Sequence, residues 1–377
     1  MNIAQKNKNV KIMLSGGGTG GSVTPLLAMV DLLKREQGSK SIKRLLEPEF
    51  LWIGTKDGPE RQLVESSGIR FMSIPAGKLR RYLSLQNVLD FFQIYLGFWQ
   101  SFFIILKEKP NLIISAGSFV SAPLAWAAWV LRVPVLIHQL DARPGLANKL
   151  MAPFAKTISV TFKKSLADYG KKAVLTGNPI RKEFIENKIS KREAVQKIGM
   201  RTDKPILLVM GGGTGAGAIN DLILENIDKL TRVCQILHIT GKNKSSKKMA
   251  EAMEKNPGYK FFEFLDAFGL IKVFASADII ISRAGMGTLT ELSYVAKPTI
   301  LIPMPDSHQE ENAEIFFKEE AAIVLNQKGL NGDILLKNIK KILKDENLRN
   351  KLKNNIKKVI KTECENKIID VINMAIK

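Results

Sequence analysis

Cysteine is nearly missing from this chain, with two residues in 377, Cys234 and Cys364, far apart and neither in a CxxC pair. That excludes a disulfide framework or a thiolate metal site and fits a reducing compartment. No Asp-x-Asp occurs anywhere, so a metal held by that motif is not indicated, and no cofactor is expected. Long apolar runs are also missing. The stretch FFQIYLGFWQSFFIIL (91–106) falls short of the roughly 20 residues a spanning helix needs and carries Gln93 and Gln100. A second stretch, SFVSAPLAWAAWVL (118–131), is shorter and broken by Pro123, so neither is expected to span a membrane. The opening MNIAQKNKNVKIML has no cleavable signal pattern, because its apolar run is short and leads straight into glycine; no secretory leader is expected. Acid is scarce relative to base, with 36 Asp and Glu against 57 Lys and Arg, a net charge of +21. No run interleaves basic residues with aromatics as a nucleic-acid groove would, so nucleic acid is not expected as a partner. The lysines of the tail read as solvated helical faces.

What is present is an internal echo. VKIMLSGGGTGGSVTPL (10–26) and PILLVMGGGTGAGAIND (205–221) share one plan: an apolar strand, GGGTG, then a helix-like segment. Two such clusters with matching flanks predict two Rossmann-like halves. Buried strands are predicted at 50–55, 70–76, 111–117, 133–139 and 157–162. In the second half they follow at CQILHIT, YKFFEFL, DIIISRAG and PTILIPM, with most separated by room for a helix. Near-continuous apolar strands alternating with helices mean an α/β fold with parallel sheets covered on both faces. LTGNPIRKEF (175–184) reads as the crossing between the halves.

Strand, glycine turn and helix together form a phosphate-binding arrangement. Gly16, Gly18 and Gly21 satisfy G-x-G-x-x-G, but a dinucleotide site also wants an acid at the end of the second strand, and Asp57 comes too late. A P-loop needs Lys followed by Ser or Thr after its last glycine, where this chain has Ser22-Val23. The second half is more specific. A strand over 278–282 leads to Gly285 and Gly287, and a helix is predicted from about Thr288, its free N–H groups facing a diphosphate. Glu291, one turn in, suits the two hydroxyls of a ribose, since a carboxylate only accepts; an acid placed early in a helix for its dipole is the other reading. His308 and Gln309 stand where they reach sugar hydroxyls.

Taken in order, GGTGG (17–21), GSFVSAP (117–123), GNPIR (177–181), the second glycine loop, RAGMGTLTE (283–291) and DSHQEENA (306–313) resemble the MurG-like peptidoglycan N-acetylglucosaminyltransferases of glycosyltransferase family 28. The resemblance covers nearly the whole chain. It implies the GT-B fold, two Rossmann-like domains with parallel sheets facing across a cleft. The first domain (1–178) would bind a lipid-linked acceptor at the membrane, and the second (179–360) the UDP-sugar. A last helix (361–377) would pack back on the first. It implies inverting transfer of GlcNAc from UDP-GlcNAc to the C4 hydroxyl of lipid I, giving lipid II for the cell wall at the cytoplasmic membrane face. By position, Thr19, Gly20 and Gly21 would border the acceptor diphosphate and the transferred sugar, and Arg181 would contact the donor. Gly213 stands where the family has a serine at the donor phosphate, and Leu265 would meet uracil through its backbone. Met286, Gly287, Thr288, Leu289 and Thr290 would line the diphosphate, with Glu291 on the ribose and His308 and Gln309 facing GlcNAc. For the membrane, Lys78, Arg80 and Arg81 with Phe91, Phe92 and Trp99 are the expected contacts with an anionic surface; an ordinary buried helix is the competing reading.

Two departures fall at the expected reaction centre. The family's GGTGGH, whose histidine is a proposed general base, ends here in Ser22, a poor base at neutral pH. Its H-E-Q-N pattern reads HQLD, so Gln139 replaces a glutamate and Asp141 an asparagine. Either Asp141 has become the base, or the acceptor differs, or the protein binds UDP-sugar with impaired activity. His138 is open between holding its loop and catalysis, whereas His238 is expected to be a satisfied buried histidine.

Overall fold

The computed structural model describes residues 10–18, 20–36, 48–77, 85–213 and 215–376. The chain forms two compact units, Met1–Arg181 with Glu363–Lys377, and Lys182–Thr362. The expected boundary at 178/179 thus stands three residues later, where a new helix begins at Lys182.

The first unit is built on seven strands: β1 (Lys11–Ser15), β2 (Glu49–Gly54), β3 (Arg70–Ser73), β4 (Leu112–Ser115), β5 (Val135–Gln139), β6 (Thr157–Val160) and β7 (Ala173–Leu175). Their order is β3-β2-β1-β4-β5-β6-β7, all parallel, with Met13 opposite both Leu51 and Ile113. Helices cover the sheet, and Met13, Ile53, Ile113, Ile137 and Ile158 form the centre of its core. The last helix, Glu365–Ile376, buries Ile368, Ile369, Val371, Ile372 and Ala375 in this same unit, against β5, β6 and the helix Gly20–Arg35.

The second unit has β8 (Ile206–Met210), β9 (Gln235–Ile239), β10 (Tyr259–Phe262), β11 (Ile279–Ser282), β12 (Thr299–Leu301) and β13 (Ile323–Val324), ordered β10-β9-β8-β11-β12-β13 and again parallel. Its core centres on Leu207, Val209, Ile236, Ile281 and Ile300. The tail lysines fall as their spacing predicts. In the helices Gly332–Lys344 and Glu346–Val359, Leu335, Ile339, Ile342, Leu352 and Ile356 face inward while Lys337, Lys340, Lys341, Lys344, Lys357 and Lys358 are exposed.

In each sheet the strand order reverses beside the strand that feeds a GGGTG turn, between β1 and β4 and between β8 and β11. Loops leaving the carboxyl ends of strands at such a reversal diverge and leave a crevice, the usual ligand position in open α/β sheets. Short edge strands β7 and β13, of three and two residues, have no predicted counterpart, because so few residues carry no periodic signal.

Candidate active site

At the carboxyl end of β1 the glycine turn runs too close to its neighbours for side chains. A Cβ on Gly16 would lie 3.0 Å from the Ser22 carbonyl oxygen, and one on Gly17 2.6 Å from Glu60 Oε1; Gly18 takes a φ of +81°. Support comes from below. Trp52, fully buried on β2, donates its indole N–H to the Gly16 carbonyl at 3.1 Å. Glu60, also fully buried, accepts from the Gly18 N–H at 3.2 Å and the Thr55 N–H at 2.9 Å, and from the Thr55 hydroxyl. Ser22 sits in the first turn of the helix Gly20–Arg35, and its hydroxyl donates to the Gly17 carbonyl at 3.1 Å. Its proton is therefore turned inward to close the loop.

The end of β5 explains the HQLD pattern. His138 is fully buried: Nε2–H donates to Asn178 Oδ1 at 3.0 Å, and Nδ1 accepts from the Ser159 hydroxyl at 2.7 Å. Burial holds its pKa down to about 4, so the ring is neutral and ties the GNPIR segment to the sheet. Gln139 is equally occupied. Its amide donates to the carbonyls of Asp141 (2.7 Å) and Arg143 (3.3 Å), while its oxygen accepts from Asn148 Nδ2 and the Tyr169 hydroxyl, both at 2.7 Å. A glutamate here would turn an oxygen on two carbonyls, so this loop calls for an amide. Asp141 follows, half-buried, on the segment that Gln139 holds.

The second unit brings three sequence-distant pieces together. After β8, a Cβ on Gly211 would meet Ala216 N at 2.3 Å, and one on Gly215 the Thr240 carbonyl oxygen at 2.2 Å. Gly212 approaches Thr288, a built Cβ lying 4.0 Å from its Oγ1. After β11, Gly285 is extended (φ −78°, ψ 141°) and no side chain caps the helix Met286–Val295. The first N–H groups of that helix are therefore left for an anion. The turn is stapled to the start of the helix His308–Lys318: Gln309 Oε1 accepts from the N–H groups of Ala284 (3.2 Å) and Met304 (3.1 Å), and Asn312 Nδ2 donates to the Ala284 carbonyl (3.2 Å). Arg283, almost wholly buried, donates to the carbonyls of Ile302 and Pro303 and to Gln327 Oε1, fixing the end of β12.

An uncapped helix start beside the second glycine turn, in a chain of two doubly wound sheets, sets the frame for comparison with known proteins. Models of the glycosyltransferase family 28 N-terminal and C-terminal domains match residues 12–160 and 206–370. The chain belongs to glycosyltransferase family 28. Among its family 28 relatives, one from Clostridium botulinum (strain 657 / Type Ba4) is 37% identical over 360 residues, covering 93% of this chain and 97% of its own. Another, from Clostridium tetani, is 38% identical over 368 residues, 96% of this chain and 97% of its own. Both are named UDP-N-acetylglucosamine--N-acetylmuramyl-(pentapeptide) pyrophosphoryl-undecaprenol N-acetylglucosamine transferase. The Acinetobacter baumannii MurG crystal structure superimposes with a TM-score of 0.74 at 22% identity, covering 97% of this chain and 99% of its own, which shows the shared GT-B fold. A UDP-GlcNAc 2-epimerase from Neisseria meningitidis bound to UDP-GlcNAc has a TM-score of 0.69 at 12% identity, covering 97% and 100%.

Several expected positions of this family 28 chain shift in detail. The helix begins at Met286, two residues before the predicted start, because Gly285 already has cap geometry. Of the residues expected to line the diphosphate, Leu289 and Thr290 point inward. Leu289 is fully buried with its N–H on the Gly285 carbonyl, and the Thr290 hydroxyl donates to the Met286 carbonyl at 2.8 Å. Met286 buries its side chain too, leaving Gly287, Thr288 and Glu291 partly exposed. Leu265 is half-buried between exposed Phe264 and Phe268, just before Asp266 caps the helix Ala267–Ser276. Gly213 is exposed within the second glycine turn, and His308 is exposed at a helix start. Gln309 faces the glycine turn with its oxygen, which leaves its Nε2 for other partners. Gly20 and Gly21 open their helix and are half-buried, and Arg181, half-buried, closes the first unit. Thr19, Lys78, Arg80 and Arg81 lie outside the described residues.

Phe91, Phe92 and Trp99 lie on the helix Leu85–Glu108, where Phe92, Tyr95, Leu96, Trp99, Phe103 and Leu106 form one exposed apolar face at helical spacing, from 41% to 62% exposed. The opposite side is buried through Ser101, Ile104 and Ile105. Among the described residues no helix is long and apolar enough to cross a membrane. Sequence reasoning missed Glu60, Trp52, Arg283 and Asn312. Only the last two stand inside quoted motifs, and nothing in local spacing marks Glu60 as buried.

Proposed function

We propose that this enzyme transfers N-acetylglucosamine from UDP-GlcNAc to the muramyl sugar of undecaprenyl-pyrophosphoryl-N-acetylmuramyl-pentapeptide, forming lipid II. The observation that carries the reading is the match to transferases of that name across 93% of this chain and 97% of theirs. In this reading the donor diphosphate lies against the uncapped helix at Met286–Thr288, where N–H groups stabilise the negative charge that develops as UDP leaves. Glu291, one turn on, accepts from the ribose hydroxyls, and His308 and the Gln309 amide meet GlcNAc. Arg181 touches the donor, Leu265 meets uracil through its backbone, and Gly213 offers its N–H to phosphate. The first glycine turn with Thr19, Gly20 and Gly21 holds the acceptor diphosphate.

Asp141 is the proposed base that takes the proton from the attacking C4 hydroxyl as it displaces UDP with inversion. Ser22 is a loop closer rather than a base, supported by its inward hydrogen bond. The acceptor's lipid is met where the apolar face of Leu85–Glu108 dips into the headgroup layer, so the enzyme is a peripheral protein of the cytoplasmic membrane face. UDP release from UDP-GlcNAc, followed with and without a lipid I analogue, tests the assignment. Release that depends on the analogue and falls about 10²–10⁴-fold in Asp141→Asn is expected. Binding of UDP-GlcNAc without acceptor-dependent release would remove the transferase reading. Unchanged turnover in Asp141→Asn would remove only the base.

A further inference from the structure

Glu60 is a carboxylate with no access to solvent, and it lies between two glycine segments rather than between cations. A Cβ on Gly17 would sit 2.6 Å from Oε1, and one on Gly58 2.2 Å from Oε2. Every group it bonds is a donor: the Gly18 N–H on Oε2, and the Thr55 N–H and hydroxyl on Oε1. Three donors converging on one side chain call for a group that only accepts. A glutamine in the same place would turn its NH2 onto a backbone N–H in either flip, onto Gly18 one way and Thr55 the other.

We propose that Glu60 is the positioning residue of the first glycine turn, acting as a carboxylate from beneath. It draws the Gly18 N–H inward, so this amide is removed from the set that faces the acceptor. The outward N–H groups are then those at the start of the helix Gly20–Arg35, whose dipole also favours an anion. The residue thereby decides where along the turn the acceptor's diphosphate is held, and so how the C4 hydroxyl is presented. This role rests on the reading of the first unit as the acceptor site.

The test compares wild type, Glu60→Gln and Thr55→Val in the full-length protein. It reads KM for a lipid I analogue, KM for UDP-GlcNAc, kcat, the unfolding temperature, and amide hydrogen exchange of peptides over 16–24 and 211–216. Glu60→Gln is expected to raise the acceptor KM about tenfold or more, the loss of a charge-assisted hydrogen bond. The donor KM should stay within about twofold, exchange should quicken over 16–24, and exchange over 211–216 should not change. Thr55→Val, which keeps the carboxylate and the Gly18 bond, should show the same pattern more weakly. Unchanged acceptor KM and unchanged exchange over 16–24 in folded Glu60→Gln would overturn the proposal, as would donor and acceptor KM rising in parallel. If wild type shows no acceptor-dependent turnover, the proposed function fails. Exchange over 16–24 then decides the positioning role by itself: quickening in Glu60→Gln sustains it, and no change overturns it.

Discussion

The two units carry the same pentapeptide, GGGTG, at the same point of the same kind of sheet, yet they hold it by different chemistry. In the first, the turn rests on an acceptor-only carboxylate and an indole, Glu60 and Trp52, both supplied by the neighbouring strand and the helix after it. In the second, the glycine turn is closed by the Gly215 N–H on the Gly212 carbonyl (3.0 Å) and held by Lys244 Nζ donating to the Gly215 carbonyl (3.2 Å), and the adjoining RAGMG turn is stapled by amides, Gln309 and Asn312. The motif thus specifies a tight approach, while the anchor is chosen by whatever the surrounding fold offers. The units differ on their surfaces as well. Five exposed aromatics, Phe91, Phe92, Tyr95, Trp99 and Phe103, lie on one helix of the first, with Trp129 apart, whereas Phe264, Phe268 and Phe317 of the second are distributed over separate elements.

The largest expected effect breaks the surface comparison. Replacing Phe92, Trp99 and Phe103 together by serine removes three side chains from the apolar face. It should weaken co-sedimentation with vesicles containing anionic lipid by about 100-fold or more, since each buried aromatic contributes roughly 1.5–3 kcal/mol. Phe264→Ser with Phe317→Ser should leave vesicle binding unchanged, and equal losses in both variants would mean the face has no special role. Next come the glycines. Gly215→Ala forces a Cβ to 2.2 Å from a backbone oxygen at a φ of +70°, and Gly17→Ala presses on Glu60. Denaturant unfolding should show each destabilised by about 2–4 kcal/mol. At Gly213 and Gly285 an added Cβ meets nothing within 4 Å, so alanine there should stay within about 0.5 kcal/mol.

The remaining effect concerns a feature the units share. His138 and His238 are both buried, each between a hydroxyl and an asparagine, and burial lowers both to about 4 from the usual 6.5. Between pH 6.5 and 4 the unfolded chain therefore binds protons that the folded chain does not. Stability is complete above the unfolded value and falls as pH drops through this window, by about 1.4 kcal/mol per pH unit for each histidine. Melting curves from pH 7 to 4.5 should show the decline, and His138→Gln or His238→Gln should each reduce the slope. A slope unchanged by either substitution would refute the assignment.

Much of this is legible in the sequence. The strand positions, the parallel α/β class, the two halves and the special helix start at 285–291 follow from apolar runs, glycine and spacing, which act locally. Spacing places the helix start two residues late, because φ and ψ at Gly285, rather than composition, set it. The membrane-facing reading of 91–106 and the buried-helix reading could not be separated from a run that is apolar on nearly all sides. Packing buries Ile104 and Ile105 and leaves Phe92 and Trp99 exposed, so the buried-helix reading holds for one side of the helix only. Gln139 replaces the family's glutamate, and its four hydrogen bonds show an amide holding the Asp141 segment.

By itself the sequence determined the periodicities, the glycine turns at the strand ends, and a family resemblance spread over the whole chain, since each of these is written in neighbouring residues. Tertiary structure alone decided which polar side chains serve the turns. Glu60 reaches Gly18 across 42 positions and Gln309 reaches Ala284 across 25. A buried polar group must find its partner wherever the fold brings one within about 3 Å, and that distance is set by strand order, which no local pattern encodes.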